Sequence, residues 1–329
     1  MERKHSIDLL RIISCLAVIG IHVLSGPMTN YNEILDAGLV TFLKKTHIML
    51  NWAVPVFFII TGYCILSKPE YTYANCFKHV RKFMVLLATV GFAFSLLEEF
   101  FNVRTFNFSI IAAAVRNVIS GNLWDHMWYL YAIIGIYLVL PVLHLFMTST
   151  KNNRLLLTGL LFFFTIVVPS IKPIVAIGVD IPFSGYLLYI CFGGMVAKGD
   201  FSKKQSISIV MAGLVSAIYI LLSPFADDFG YRSPAICLLA CSIFVVFALL
   251  DVKTSKFISI ASQCTLGVYL IHPLFLNVAI KVLKLDFLSR MPYFRLACLY
   301  VAVSLISFFT TFTLLRILTI VTCRGTIKA

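Results

Sequence analysis

The sequence predicts an all-α integral membrane protein of about ten transmembrane helices, with both termini cytoplasmic. Three observations carry this prediction. The 329-residue chain is 60% hydrophobic and only 12% charged, with a mean hydropathy of +0.96. A soluble domain carries about 25% charged residues, so too little polar side chain is present to cover a water-facing surface. The apolar residues gather into runs of about the 20 residues that a bilayer core requires. Finally, no polar, Pro/Gly-rich linker divides the chain. A single transmembrane domain over 1–329 is therefore expected, without a separate soluble domain, and a soluble enzyme, a disordered chain and a fibrous repeat are excluded.

The runs lie near 7–25, 47–66, 80–101, 127–146, 155–171, 182–197, 206–223, 235–251, 258–280 and 296–320. The first has Asp8 and Arg11 at its start and His22 near its end, with no small-residue cleavage signal. It reads as a retained helix, not a signal peptide. The third ends in Glu98 and Glu99. Between the third and fourth, Ile110, Ile111, Ala114, Val115 and Val118 recur at helical spacing opposite Arg116 and Asn117, which predicts a short interfacial helix. A Pro-containing turn (Pro169, Pro173, Pro182) separates the fifth from the sixth. The ninth is the weakest, diluted by Ser259, Ser262, Gln263 and Thr265.

Lys and Arg number 27 against 14 Asp and Glu, a formal charge of +13. Such an excess favours nucleic acid in a soluble protein, but no compact basic domain is present and no nucleic-acid partner is expected. Cytoplasmic loops of membrane proteins collect Lys and Arg. With the N-terminus inside, alternate segments divide these residues fifteen inside to ten outside, with Arg11 and Arg316 within spans. The nine cysteines lie mostly in apolar runs with no C-x-x-C pair, and read as small buried hydrophobes.

Ionisable groups inside a span are costly, so each is a functional candidate. Arg11 and His22 are eleven residues apart, which returns them to within about 20° on one helix face, separated by about 16 Å of rise. Asp8, three residues before Arg11, shares that face and can pair with it. An interface ion pair with a His reaching the headgroups is the plain structural alternative.

These residues resemble the membrane acyltransferase-3 family of O-acyltransferases that decorate bacterial surface polysaccharides. The family's first helix carries Arg or Lys, ten residues, then His, as do Arg11 and His22. Phe57-Phe58-Ile59-Ile60-Thr61-Gly62-Tyr63 is similar to F-F-x-x-S-G-[YF], with Thr61 in the Ser position. Lys78-His79-Val80-Arg81-Lys82 partly resembles R-R-x-x-R, with Phe77 in place of the first Arg and the usual downstream Pro missing. His126-Met127-Trp128-Tyr129-Leu130 looks like H-x-W-[YF]-L. Ser262 and the stretch from Leu266 through His272 to Pro273 resemble S-x-G-x-Y-L-x-H. In this order the motifs cover nearly the whole chain. Within the family the chain looks closest to short stand-alone members such as the enterobacterial common antigen O-acetyltransferase.

The resemblance implies transfer of an acyl group, expected to be acetyl, from cytoplasmic acyl-CoA to a sugar hydroxyl of a cell-surface or lipid-linked glycan at the bacterial inner membrane. CoA acts there as a co-substrate, with no tightly bound cofactor. A neutral imidazole suits the base that activates a hydroxyl near pH 7, and His22 is the candidate. His22 as an acyl-accepting nucleophile is equally open. Guanidinium grips phosphate in bidentate geometry, so Arg11 with Lys78, Arg81 and Lys82 is expected to hold the CoA end. Glu98 and His126 near the outer face, Trp128 and Tyr129 as stacking platforms, and His272 in the polar ninth span are candidate substrate contacts. Trp and Tyr also serve as interfacial anchors. His5, His47, His79 and His144 are assigned no chemistry. Thr61-Gly62 and Gly193-Gly194 read as points of close helix approach. No metal-binding or nucleotide-fold motif is present. A secondary transporter using the same intramembrane charges is the competing reading, although no internal repeat is visible; a non-catalytic sensor or scaffold is a third.

Overall fold

The computed structural model of the chain describes residues 4–31, 35–105, 107–175, 185–223, 229–282 and 291–325, and every regular element among them is helical. In chain order these are α1 (His5–Tyr31), α2 (Ala37–Leu50), α3 (Ala53–Leu66), α4 (Tyr73–Leu86), α5 (Phe92–Val103), α6 (Phe108–Ser120), α7 (Trp128–Met147), α8 (Lys151–Phe162), α9 (Val168–Val175), α10 (Tyr186–Ala197), α11 (Lys203–Leu222), α12 (Pro234–Leu249), α13 (Lys256–Asn277) and α14 (Pro292–Gly325). Short π turns join α4 to α5 at Leu87–Gly91 and α8 to α9 at Phe163–Val167.

Among the described residues eight helical stretches are long and apolar enough to cross a membrane, and three apolar helices are shorter. The expected ten spans resolve into this set. The runs near 182–197 and 235–251 become α10 and α12, about 18 and 24 Å long at 1.5 Å per residue. Both are apolar all round because they are buried all round: Leu188 through Met195 and most of α12, including Phe244 and Val245, are inside. Of the prolines expected to turn the chain, Pro169 and Pro173 lie within α9, and Pro182 lies outside the described residues.

The second run begins earlier than hydropathy indicates. Residues 37–46, which fall before the predicted run at 47–66, form most of α2. Asp36 caps this helix by accepting from the amides of Gly38 and Leu39, satisfying donors that a helix N-terminus leaves open. Leu39 and Leu43 are buried four residues apart, and Lys45 donates to the Leu221 carbonyl at the end of α11 (3.0 Å), where a cation complements the helix dipole. The chain bends at Asn51, whose side chain donates to the Phe229 carbonyl (3.2 Å).

The chain divides into two compact units, Met1–Cys64 with Leu156–Ala329, and Ile65–Leu155. In the larger, α1 packs against α2, α13 and α14, and α11 against α12. Cys15, Ile19 and Val23 of α1 meet Leu43, Cys264, Val268, Leu276 and Leu299 in one apolar cluster. Ile207, Met211, Leu214, Val215 and Ile218 leave a contiguous face of α11 exposed, suited to lipid. Cys64 and Cys298 are exposed, whereas Cys15, Cys76, Cys191, Cys237, Cys241 and Cys264 are buried thiols.

The small residues act as expected. A Cβ on Gly62 would lie 2.0 Å from the Ile190 carbonyl oxygen, and one on Gly193 would lie 2.1 Å from that of Ile59. Thus α3 and α10 touch backbone to backbone. Gly62→Ala is expected to destabilise the protein by about 1–3 kcal/mol through overpacking, read as a lower unfolding midpoint in detergent.

In the smaller unit α4 pairs with α7 and α5 with α6. The predicted interfacial helix is α6, capped by Asn107. Its packed face is corrected, however. Ile110 and Ala114 are buried, Val115 is exposed, and Asn117 points inward to donate to Ser95 (3.1 Å) and Glu99 (2.9 Å). A hydropathy pattern assigns Asn117 to the solvent face because it cannot see the polar partners α5 supplies. His144, expected at a loop or interface, is buried and bonds through Nε2 to the Lys68 carbonyl (2.8 Å).

Candidate active site

The α1 stripe meets α13. Along the contact, Asp8 and Arg11 lie beside Ser262, Cys15 beside Thr265, and His22 beside His272. Both chains advance in the same direction along these pairs, so the two helices run parallel and begin on one side. Lys4, just before α1, donates to the Ala248 carbonyl at the end of α12 (3.2 Å). This places the start of α1 beside the 250–255 loop that precedes α13. On α1 the seam residues 8, 11, 15, 18 and 22 are spaced three and four apart, the interval at which one face of a helix returns.

At the start of the seam Asp8 is buried at 4% exposure. A buried carboxylate is costly unless paired and hydrogen-bonded, and both needs are met. Ser262 donates its hydroxyl to Asp8 Oδ1 (2.9 Å), and Arg11 Nη1 lies 3.6 Å from the same oxygen and donates to Ser262 Oγ (3.3 Å). The predicted Asp8–Arg11 pair is therefore a triad closed by a hydroxyl from 251 residues away. Arg11 commits one nitrogen to this cluster, keeps 31% of its side chain exposed, and has five N–H donors in all. Ser262→Ala is expected to cost about 1–3 kcal/mol, because Asp8 loses a buried donor; thermal unfolding in detergent measures it.

Further along the seam are two imidazoles. His22 Nδ1 lies 2.9 Å from the Val18 carbonyl, and His272 Nδ1 lies 3.1 Å from the Val268 carbonyl. A carbonyl only accepts, so each Nδ1 carries its proton. His272 Nε2 approaches His22 Nδ1 at 3.3 Å, with ring centroids 5.0 Å apart and planes at 66°. His272 is fully buried.

The acyltransferase-domain family model matches residues 4–316. The chain belongs to the membrane acyltransferase-3 family. Eight helical stretches among its described residues are long and apolar enough to cross a membrane, and the chain is a multi-pass membrane protein of that family. The chain is 25% identical to an amino-acid racemase of Enterococcus faecalis over 310 residues, 86% of this chain and 42% of that protein. It thus spans about two-fifths of that relative's length. No solved structure matches it.

The structure gathers four of the sequence candidates, Asp8, Arg11, His22 and His272, in the α1–α13 seam. The others lie in the smaller unit. There Lys78, Arg81 and Lys82 are exposed on α4, with His79 between them stacked on Tyr137 at 4.8 Å and 15°. Glu98 is exposed, whereas Glu99 accepts from Asn117. His126 is buried, within 6.0 and 6.3 Å of the rings of Phe94 and Trp124, which stack on each other at 4.6 Å. Trp128 and Tyr129 are half-buried with their rings edge to face at 6.2 Å. Among the described residues no group of three or more His, Cys, Asp or Glu side chains is arranged to hold a metal ion.

Sequence reasoning assigned Ser262 no role at the site. It was visible as a dilution of the ninth hydrophobic run and as part of the family-like stretch that ends at His272. A hydroxyl in that run, ten residues before a His, is the signal that pointed to it.

Proposed function

We propose that this membrane acyltransferase is an O-acetyltransferase of the bacterial inner membrane. It moves an acetyl group from cytoplasmic acetyl-CoA to a sugar hydroxyl of a cell-surface or lipid-linked polysaccharide. The observation that carries this reading is the single seam in which a guanidinium cluster and an imidazole pair share one face of α1, about 16 Å apart in rise. Arg11 binds the anionic end of the donor, and the pantetheine arm, of comparable length, runs along α1 toward His22. The other sequence candidates, Lys78, Arg81 and Lys82 for the donor and Glu98, His126, Trp128 and Tyr129 for substrate contacts, lie in the smaller unit.

His22 acts as the general base through Nε2, since its Nδ1 carries the proton bound by Val18. It takes the proton of the sugar hydroxyl as that oxygen attacks the thioester carbonyl. The tetrahedral intermediate collapses, the C–S bond breaks, and the imidazolium returns the proton to the departing thiolate. The products are the sugar acetyl ester and CoA.

The test incubates the purified protein with radiolabelled acetyl-CoA and lipid-linked glycan extracted from the host membrane. Label in the glycan with the wild type, absent with His22→Ala and Arg11→Ala, supports the reading. Label that stays in free acetate, or a glycan labelled equally by all three, overturns it. Stable label on the protein itself would favour the acyl-histidine route over the base.

A further inference from the structure

The contact between the two imidazoles carries an inference beyond the base itself. We infer that His272 is the positioning residue of the reaction: its unprotonated Nε2 holds the proton-bearing Nδ1 of His22, so that the lone pair of His22 stays on Nε2. The inference rests on the reading of His22 as the base.

The proton positions follow from which atoms can accept. The Val268 carbonyl takes the Nδ1–H of His272 at 3.1 Å. A neutral imidazole carries one proton, so His272 Nε2 is an acceptor. The atom it faces at 3.3 Å is His22 Nδ1, which lies 2.9 Å from the Val18 carbonyl. That one N–H is shared between two acceptors, a three-centre bond of a kind common in helices. Two acceptors on Nδ1 disfavour the other tautomer twice over. With the proton on Nε2, His22 Nδ1 would turn a lone pair toward a carbonyl oxygen and another nitrogen lone pair.

The arrangement also answers what happens when His22 takes the proton of the hydroxyl. Its Nδ1–H then belongs to an imidazolium, and hydrogen bonds from a charged donor are roughly twice as strong as neutral ones. His272 Nε2 and the Val18 carbonyl are already in place to receive that stronger bond, with no reorganisation of the site. Hydrolytic triads use a carboxylate for this task. Inside a membrane a neutral acceptor serves without the cost of a second buried charge.

The immediate surroundings hold His272 in place. It is 0% exposed, its neighbours Val268, Cys264 and Leu276 are buried in the apolar cluster shared with α1, and its own Nδ1 is tied to the backbone one turn earlier. A ring so enclosed has little freedom to turn. It fixes the plane of His22, which is itself only partly buried. The seam joins residues 250 positions apart, so this constraint comes from α13 and is absent from α1 alone.

The experiment compares His272→Leu and His272→Gln with wild type, using radiolabelled acetyl-CoA and extracted lipid-linked glycan. Gln presents an acceptor oxygen near the position of Nε2, and Leu fills similar space without one. His272→Leu is expected to lower kcat about 10–100-fold, the usual scale for losing an orienting partner, with KM for acetyl-CoA unchanged. His272→Gln is expected to recover kcat to within several-fold of wild type. In the His22→Ala background, His272→Leu is expected to add no further loss, because the two residues act as one unit. Wild-type kcat in His272→Leu overturns the inference while leaving His22 as the base. So does equal loss in the Leu and Gln variants at matched folded yield, which assigns His272 to packing. Full activity in His22→Ala, by contrast, removes the base itself.

Discussion

His22→Ala is expected to lower kcat by about 10²–10⁴-fold, the range in which a positioned general base contributes, while KM for acetyl-CoA stays within about two-fold. The two parameters separate because His22 acts at the reacting hydroxyl and Arg11 at the distant anionic end of the donor. Folding is not expected to change much. His22 is only partly buried, and its side chain holds the carbonyl of its own helix and the ring of His272. Initial rates over a range of acetyl-CoA concentrations, at matched amounts of monodisperse protein, measure both parameters. A His22→Ala protein with wild-type kcat removes the imidazole from the chemistry.

Arg11→Ala is expected to damage stability and donor binding together, and the two losses can be separated. Removing one partner of a buried ion pair costs about 3–5 kcal/mol because the other charge is stranded. Arg11 is about a third exposed and Ser262 still donates to Asp8, so the lower end of that range is expected. The double variant Asp8→Asn/Arg11→Ala takes away the stranded charge and should recover most of the unfolding midpoint. It should not recover donor affinity. Arg11→Lys keeps a charge but loses the planar fork, and should raise KM for acetyl-CoA about ten-fold with a smaller effect on folding. Unfolding in detergent and KM for acetyl-CoA read the two losses independently. If the double variant regains both, Arg11 serves the fold alone.

Both predictions start from side chains already visible on one helix face. Asp8, Arg11 and His22 could be placed by counting, because an α-helix has a fixed angle per residue and α1 is regular across this stretch. The apolar runs were legible for the same reason, since a bilayer-length stretch of hydrophobic residues needs no knowledge of its neighbours. The limits of such counting appear in α2 and α6. Lys44 and Lys45 hid a helix whose buried face is Leu39 and Leu43, because mean hydropathy averages over all faces. Asn117 looked like a solvent residue until α5 brought Ser95 and Glu99 against it. The apolar helices α10 and α12 have the composition of full spans, but their described lengths of 12 and 16 residues are set by where the chain turns and not by composition.

By itself, then, the sequence determined that this is a helical membrane protein, that α1 carries a carboxylate, a guanidinium and an imidazole in line, and that its motifs resemble an acyltransferase family. Each of these is a local property, set by composition or by the pitch of a single helix. Tertiary structure alone decided which surface that line meets. Ser262 between Asp8 and Arg11, and His272 against His22, come from α13, 250 or more residues away, and no periodicity within either helix relates the two. Contacts of that kind depend on how two faces pack, through close approaches and apolar clusters spread over several helices. A buried charge or imidazole can be read as costly from the sequence, but the partner that offsets the cost is known only once the helices are brought together.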